Sequence, residues 1–141
     1  KNLVAVGKCL TSTGAALQSN IVIDQCDGRT LQQWTYTSAK ELRNGTLCLD
    51  VAAASSSNGA NVQVYTCNGA NNQKWEQVGS AFKPSHVPGL TMCLDVNSGS
   101  SVNGTNVQIW TCAGNTAQSW AVQNPPTVQI STPPSGLRIT P

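Results

Sequence analysis

The chain has 141 residues, enough for one domain with a modest core. Only 10% of them are charged and the net charge is +2, too weak a surplus to point to nucleic acid or an anionic membrane as partner. No apolar run approaches the ~18 residues needed to cross a bilayer and no signal-peptide pattern opens the chain, so it reads as a mature or excised piece.

Residues 1–7 carry Leu3, Val4 and Val6, which predict a short strand leading into a unit that occurs three times. KCLTSTGAALQSNIVIDQCDGRTLQQW runs from Lys8 to Trp34. LCLDVAAASSSNGANVQVYTCNGANNQKW runs from Leu47 to Trp75, and MCLDVNSGSSVNGTNVQIWTCAGNTAQSW from Met92 to Trp120. Each copy opens on Cys-Leu and closes on Gln-x-Trp, and its second Cys always lies the same distance before the Trp (26 to 34, 67 to 75, 112 to 120).

In the first copy Ile21 and Ile23 alternate with Val22 and Asp24, a strand followed by a turn at Asp27-Gly28. A polar link over 36–46 holds a predicted strand at Glu41 to Arg43 and a turn at Asn44-Gly45. The second copy alternates Val62 and Val64 with Gln63 and Tyr65. In the longer link over 78–91, Pro84 and Pro88 rule out a helix. The third copy alternates Val107 and Ile109 with Gln108 and Trp110. From Asn124 the chain turns Pro/Ser/Thr-rich and leaves the repeat, so 125–141 reads as a linker or tail leading to a further domain.

Helix signals are nearly absent. Many short strands in three copies predict an all-β domain closed by threefold repetition. Spacing alone leaves a trefoil barrel and a three-bladed arrangement open.

The six cysteines hold repeat-equivalent positions and none forms Cys-x-x-Cys. With His86 the one histidine, they read as disulfides and no metal or other cofactor is expected. Threefold repetition leaves three pairing schemes, within each copy or cyclic in either direction. Pairing within copies, Cys9–Cys26, Cys48–Cys67 and Cys93–Cys112, closes the shortest loops and is the expectation. Each such loop stabilises by roughly 3 kcal/mol through the unfolded chain. Disulfides imply an oxidising, extracellular setting, with which the sequons at Asn44 and Asn103 are compatible.

Strand parity then picks out a site. In the second copy Leu47 and Leu49 share one face, leaving Cys48 and Asp50 on the other. Val62 and Val64 turn inward, leaving Gln63, Tyr65 and Cys67 outside. If Cys48 and Cys67 face each other across an antiparallel pair, so do Asp50 and Tyr65. A carboxylate beside an outward aromatic ring suits a sugar: the ring covers the apolar face of a pyranose and the carboxylate accepts its hydroxyls. Asp95 and Trp110 repeat the pair in the third copy, whereas the first copy has Thr11 and Asp24. Trp34, Trp75 and Trp120 share the closing position and read as core.

The Cys-Leu-Asp openings and the three Gln-x-Trp closings in register resemble the ricin B-type lectins, which include the family-13 carbohydrate-binding modules. The likeness covers about residues 1–124. It implies a β-trefoil with three repeats (about 1–38, 39–80 and 81–124) and a non-catalytic, carbohydrate-binding role. Its sugar-binding pattern falls on Asp50, Gln63, Tyr65, Asn72 and Gln73 in the second copy. In the third it falls on Asp95, Gln108, Trp110 and Gln118, with Ala117 in place of the asparagine. In the first, Thr11, Val22, Asp24 and Leu31 replace four of the five, so that copy reads as structural. Gln32 survives there, which points to a role for these glutamines in the fold or in orienting the aspartate.

Two rivals are weaker. An enzyme needs two acids flanking one bond at ~5–10 Å, and Asp50 and Asp95 lie in separate copies. A trefoil that binds protein, as an inhibitor or signalling ligand, needs an exposed apolar or charged patch, and the sequence shows none. The expected partner is carbohydrate: galactose-type sugars, or polysaccharides containing galactose, xylose or arabinose. The expected context is a secreted lectin or a module attached to a glycoside hydrolase.

Overall fold

The repeats fold as three structurally equivalent units. The computed structural model describes residues 1–125, and the tail beyond lies outside them. In the first unit β1 (Asn2–Ala5), β2 (Lys8–Ser12) and β3 (Ile21–Asp24) form an antiparallel meander. The second contributes β4 (Thr35–Tyr36), β5 (Leu42–Asn44), β6 (Leu47–Val51) and β7 (Val62–Thr66). The third has β8 (Trp75–Val78), β9 (Ala81–Pro84), β10 (Met92–Val96) and β11 (Val107–Thr111), and the last strand is β12 (Ala121–Gln123).

The chain closes on itself. At or just after each closing tryptophan a strand pairs across the junction with the strand that opens the following meander: β4 with β5, β8 with β9, and β12 with β1. The same backbone bond marks each junction, from Trp34 N–H to Lys1, Trp75 N–H to Lys40 and Trp120 N–H to Ser80, all at 2.8 Å. Of these junction strands, β1 and β5 answer to the strands expected within residues 1–7 and at Glu41 to Arg43, while β4, β8, β9 and β12 were not legible in the sequence. These four are short and polar, and β9 carries the two-proline link, where Pro84 ends the strand and Pro88 opens a single 3-10 turn.

The core forms from the inward parity of the strands. Leu10, Leu49 and Leu94 are fully buried, as are Ile23, Val64 and Ile109 opposite them. Trp34, Trp75 and Trp120 close it, and each indole N–H donates to the carbonyl of Leu10, Leu49 or Leu94 at 3.0–3.1 Å. Burying a tryptophan demands a partner for that N–H, and the leucine after each first cysteine supplies it. Phe82 joins this core from the proline link.

Three disulfides pair Cys9 with Cys26, Cys48 with Cys67 and Cys93 with Cys112, as expected, with Cα–Cα distances of 5.1–5.2 Å. On the pseudo-threefold axis Asn20 donates to Asn106, Asn106 to Asn61 and Asn61 to Asn20, at 2.8–2.9 Å, a closed ring of amides joining the units.

Candidate functional site

The ladder of the second unit differs by two residues from the register expected of it. Cys48 faces Tyr65 and Asp50 faces Gln63, so Asp50 and Tyr65 are diagonal neighbours rather than opposite ones. The third unit repeats this with Cys93 facing Trp110 and Asp95 facing Gln108. The reason is that Cys67 lies beyond Thr66, the last residue of β7. It bonds Cys48 from outside the ladder, so the disulfide does not report the register.

The corrected register places an amide directly opposite each carboxylate. Gln63 Nε2 donates to Asp50 Oδ1 at 3.1 Å, and Gln108 Nε2 to Asp95 Oδ2 at 2.9 Å. Asp50 is further held at Oδ2 by Asn72 (3.3 Å) and Gln73 (2.9 Å). Both aspartates are almost fully buried, 3% and 6% exposed, and the side chains that bond them are amides rather than cations. Ionised carboxyls have about four acceptor positions. The protein fills three on Asp50 and one on Asp95.

The aromatic rings stand at the outer end of the same face. Trp110 is 45% exposed, unlike the three core tryptophans, and Tyr65 is half-buried. In the third unit Asp95, Gln108 and Trp110 line a cavity of about 420 Å³ together with Asn97, Asn115 and Thr116. Ala117 is on its wall, so the missing asparagine side chain leaves room there, and Asn115 and Thr116 supply polar groups beside it.

The closing glutamines divide into two roles. Gln73 is fully buried, donates to the Thr66 carbonyl (2.8 Å) and accepts from the Asn68 N–H (2.9 Å) as well as holding Asp50. Gln118 makes the same two backbone bonds, to Thr111 and Ala113, with no bond to Asp95, and it does not line the cavity. Gln32 repeats the pattern with the Gln25 carbonyl and the Asp27 N–H, and reaches Thr11 Oγ1. All three fasten the loop after the second cysteine; only Gln73 also positions a site acid.

In the first unit Asp24 occupies the ring position and is bound by Arg29 at 2.8 Å; Arg29 also holds Asp27. The Arg29 hydrogen bond, then the Gln25 N–H, pull the Asp24 carboxyl below its ordinary value. Asp27 is lowered too, first by the Arg29 backbone N–H and then by its side chain. With Leu31 in place of Asn72, no platform forms.

One feature of the two candidate sites was invisible in the sequence. After each site aspartate's strand the chain makes a 3-10 turn, Ala52–Ala54 and Asn97–Gly99, with Ala53 and Ser98 both at φ +56°. Non-glycine residues adopt this left-handed region at a cost of about 1–3 kcal/mol and tend to do so at functional clefts. The turn at Asn97–Gly99 walls the cavity. Its counterpart follows Val51, whose carbonyl accepts from Asn72 at 3.1 Å. Ser98-Gly99 carries a turn signal; Ala52-Ala53-Ala54 carries none.

Among the described residues, Glu41 lies close enough to Cys48 and Cys67 to share a cation, but both sulfurs are spent in the disulfide. Asp50 and Asp95 stand in separate sheets, each with amides rather than a second acid about it.

The family model of the ricin-type beta-trefoil lectin domain matches residues 1–120. Among solved structures the chain is similar to the designed threefold-symmetric protein ThreeFoil (30% identity, 84% of this chain and 94% of that one, TM-score 0.73). It is also similar in fold to the agglutinin from Abrus precatorius (21% identity, 83% and 44%, TM-score 0.71). A third likeness is to the Vibrio vulnificus hemolysin/cytolysin beta-trefoil lectin, solved with N-acetyl-D-lactosamine bound (21% identity, 93% and 96%, TM-score 0.68). The chain spans less than half of the agglutinin. No curated protein sequence matches it. Three Gln-x-Trp closures, three within-repeat disulfides and the family match agree: the chain belongs to the ricin-type β-trefoil lectin family.

Proposed function

We propose that the domain binds carbohydrate, without catalysis of its own, through the sites of the second and third units. The observation that carries this is the pairing of a buried, amide-held aspartate with an outward aromatic ring, present twice and dismantled once. Asp95 accepts two sugar hydroxyls and Asp50 one at the position its three amide donors leave free, Tyr65 or Trp110 covers the apolar face of the ring, and Gln63, Asn72 or Gln108 meets the remaining hydroxyls. Gln73 and Gln118 act through the loops they fasten. The bound lactosamine of the Vibrio lectin agrees with galactose-type sugars as ligands; polymers containing galactose, xylose or arabinose fit the same platform.

The three disulfides favour a secreted protein, and among the described residues no helix is long and apolar enough to cross a membrane. Residues 125–141 then serve as a linker from the domain of 1–124, either to a glycoside hydrolase or in a free-standing lectin. Shallow platforms bind single sugars weakly, and a polymer engaging both gains through effective concentration. The test is calorimetry with galactose, xylose and their polymers on Asp50→Ala, Asp95→Ala and the double mutant. Each single mutant should lose one site and most of the polymer affinity, and the double mutant should bind nothing. Binding by the double mutant would refute the site assignment.

A further inference from the structure

Each hairpin loop reaches over the next unit. Gln18 N–H donates to the Val64 carbonyl at 2.8 Å, Gly59 N–H to Ile109 at 2.9 Å and Gly104 N–H to Ile23 at 2.8 Å. The acceptors immediately precede Tyr65, Trp110 and Asp24, the three ring positions. The loop of one unit therefore borders the site of the following one. All three donors have left-handed backbones, with φ of +65°, +83° and +87°. Two are glycine, as that conformation favours; the first is a glutamine.

The space beside the ring is defined at the third unit. A Cβ placed on Gly59 would stand 3.8 Å from Cζ3 of Trp110 and 3.9 Å from Oε1 of Gln108. By the threefold relation of the loops, the corresponding place at the second unit, on the side of Tyr65 and Gln63, falls to Gln18, an exposed residue. A strained backbone kept where glycine serves elsewhere, on the rim of a binding platform, points to work for the side chain.

We infer that Gln18, supplied by the first unit, is a further sugar-contacting residue of the second-unit site. Its amide exchanges a hydrogen bond with a hydroxyl at the edge of a pyranose stacked on Tyr65. The third-unit site, with Gly59 there, lacks this contact and is open on that side. The first unit, without a platform of its own, thus completes its neighbour's. This rests on the carbohydrate reading above.

The test uses the disulfide-intact domain. In an Asp95→Ala background only the second-unit site remains, and galactose and xylose titrations followed by amide NMR shifts give its affinity. Gln18→Gly should weaken sugar binding there about three- to tenfold, the worth of one hydrogen bond. The same change should leave the thermal midpoint level or raise it, since glycine suits the left-handed backbone. In an Asp50→Ala background, which keeps only the third-unit site, Gln18→Gly should change nothing. A purely structural role for Gln18 would move the midpoint and not the affinity. An unchanged affinity in the Asp95→Ala background overturns the assignment of Gln18. If that background binds neither sugar before Gln18 is altered, the second-unit site itself fails and this inference with it.

Discussion

The first and second units share a backbone and differ in chemistry. Both have a disulfide, a fully buried closing glutamine and a closing tryptophan bonded to the carbonyl of an inward leucine. In the second unit the side-chain amides, the closing glutamine's among them, converge on Asp50. In the first the polar groups neutralise one another: Arg29 takes up Asp24 and Asp27, and Gln32 turns to Thr11. This shared frame holds with or without a site, so changes to the two should separate.

The largest effect should come from the frame. Trp34→Ala removes a buried ring that is 2% exposed and leaves the Leu10 carbonyl unpaired, a loss of about 3–5 kcal/mol. Trp110→Ala should leave stability within about 0.5 kcal/mol, since the ring is outside the core, while abolishing binding at the third-unit site. Denaturant titration and calorimetry of the two variants check the contrast. A Trp110→Ala protein destabilised as much as Trp34→Ala would erase the distinction between frame and site.

Next come the glutamines. Gln32→Ala and Gln73→Ala each remove a fully buried side chain and its two hydrogen bonds to the backbone of the loop, and at about 0.5–1.5 kcal/mol per bond each should cost about 1–3 kcal/mol. Gln73→Ala also takes a donor from Asp50 and should weaken the second-unit site; Gln32→Ala should leave both sites intact. Sugar affinity that falls equally in the two variants would show that the loop alone matters.

How far the sequence spoke for this molecule follows the same division. The frame was legible because it repeats: three Gln-x-Trp closures, cysteines at matched spacing and inward Val/Ile/Leu parity state the trefoil three times over. Tyr65 and Trp110 were recoverable from parity, because side chains alternate faces whatever the register. The register itself was not, since Cys67 leaves the ladder before it bonds, and reading the disulfide as a rung put Asp50 opposite Tyr65 instead of Gln63. Phe82 and the strand β9 were hidden in a link whose prolines speak only against helix. The left-handed turn at Ala53 has no signal at all, because alanine does not favour that backbone region.

The smallest effect belongs to the ion cluster that replaces the site in the first unit. Arg29 and a neighbouring backbone N–H lower both Asp24 and Asp27 in the folded chain. A depressed folded carboxylate contributes stability that is fully present above the ordinary aspartate value, near pH 4, and is lost as pH falls through the lower folded value. Arg29→Ala should therefore lower the thermal midpoint slightly at pH 5–7, and the gap to the unaltered chain should close below pH 4. These groups are exposed enough for water and salt to screen them, so the whole effect stays small and shrinks further in 1 M salt. Melting curves of both chains from pH 7 to pH 2 measure it. A gap that persists unchanged at pH 2 would mean that Arg29 supports the first unit through packing of its stem rather than through the charges it gathers.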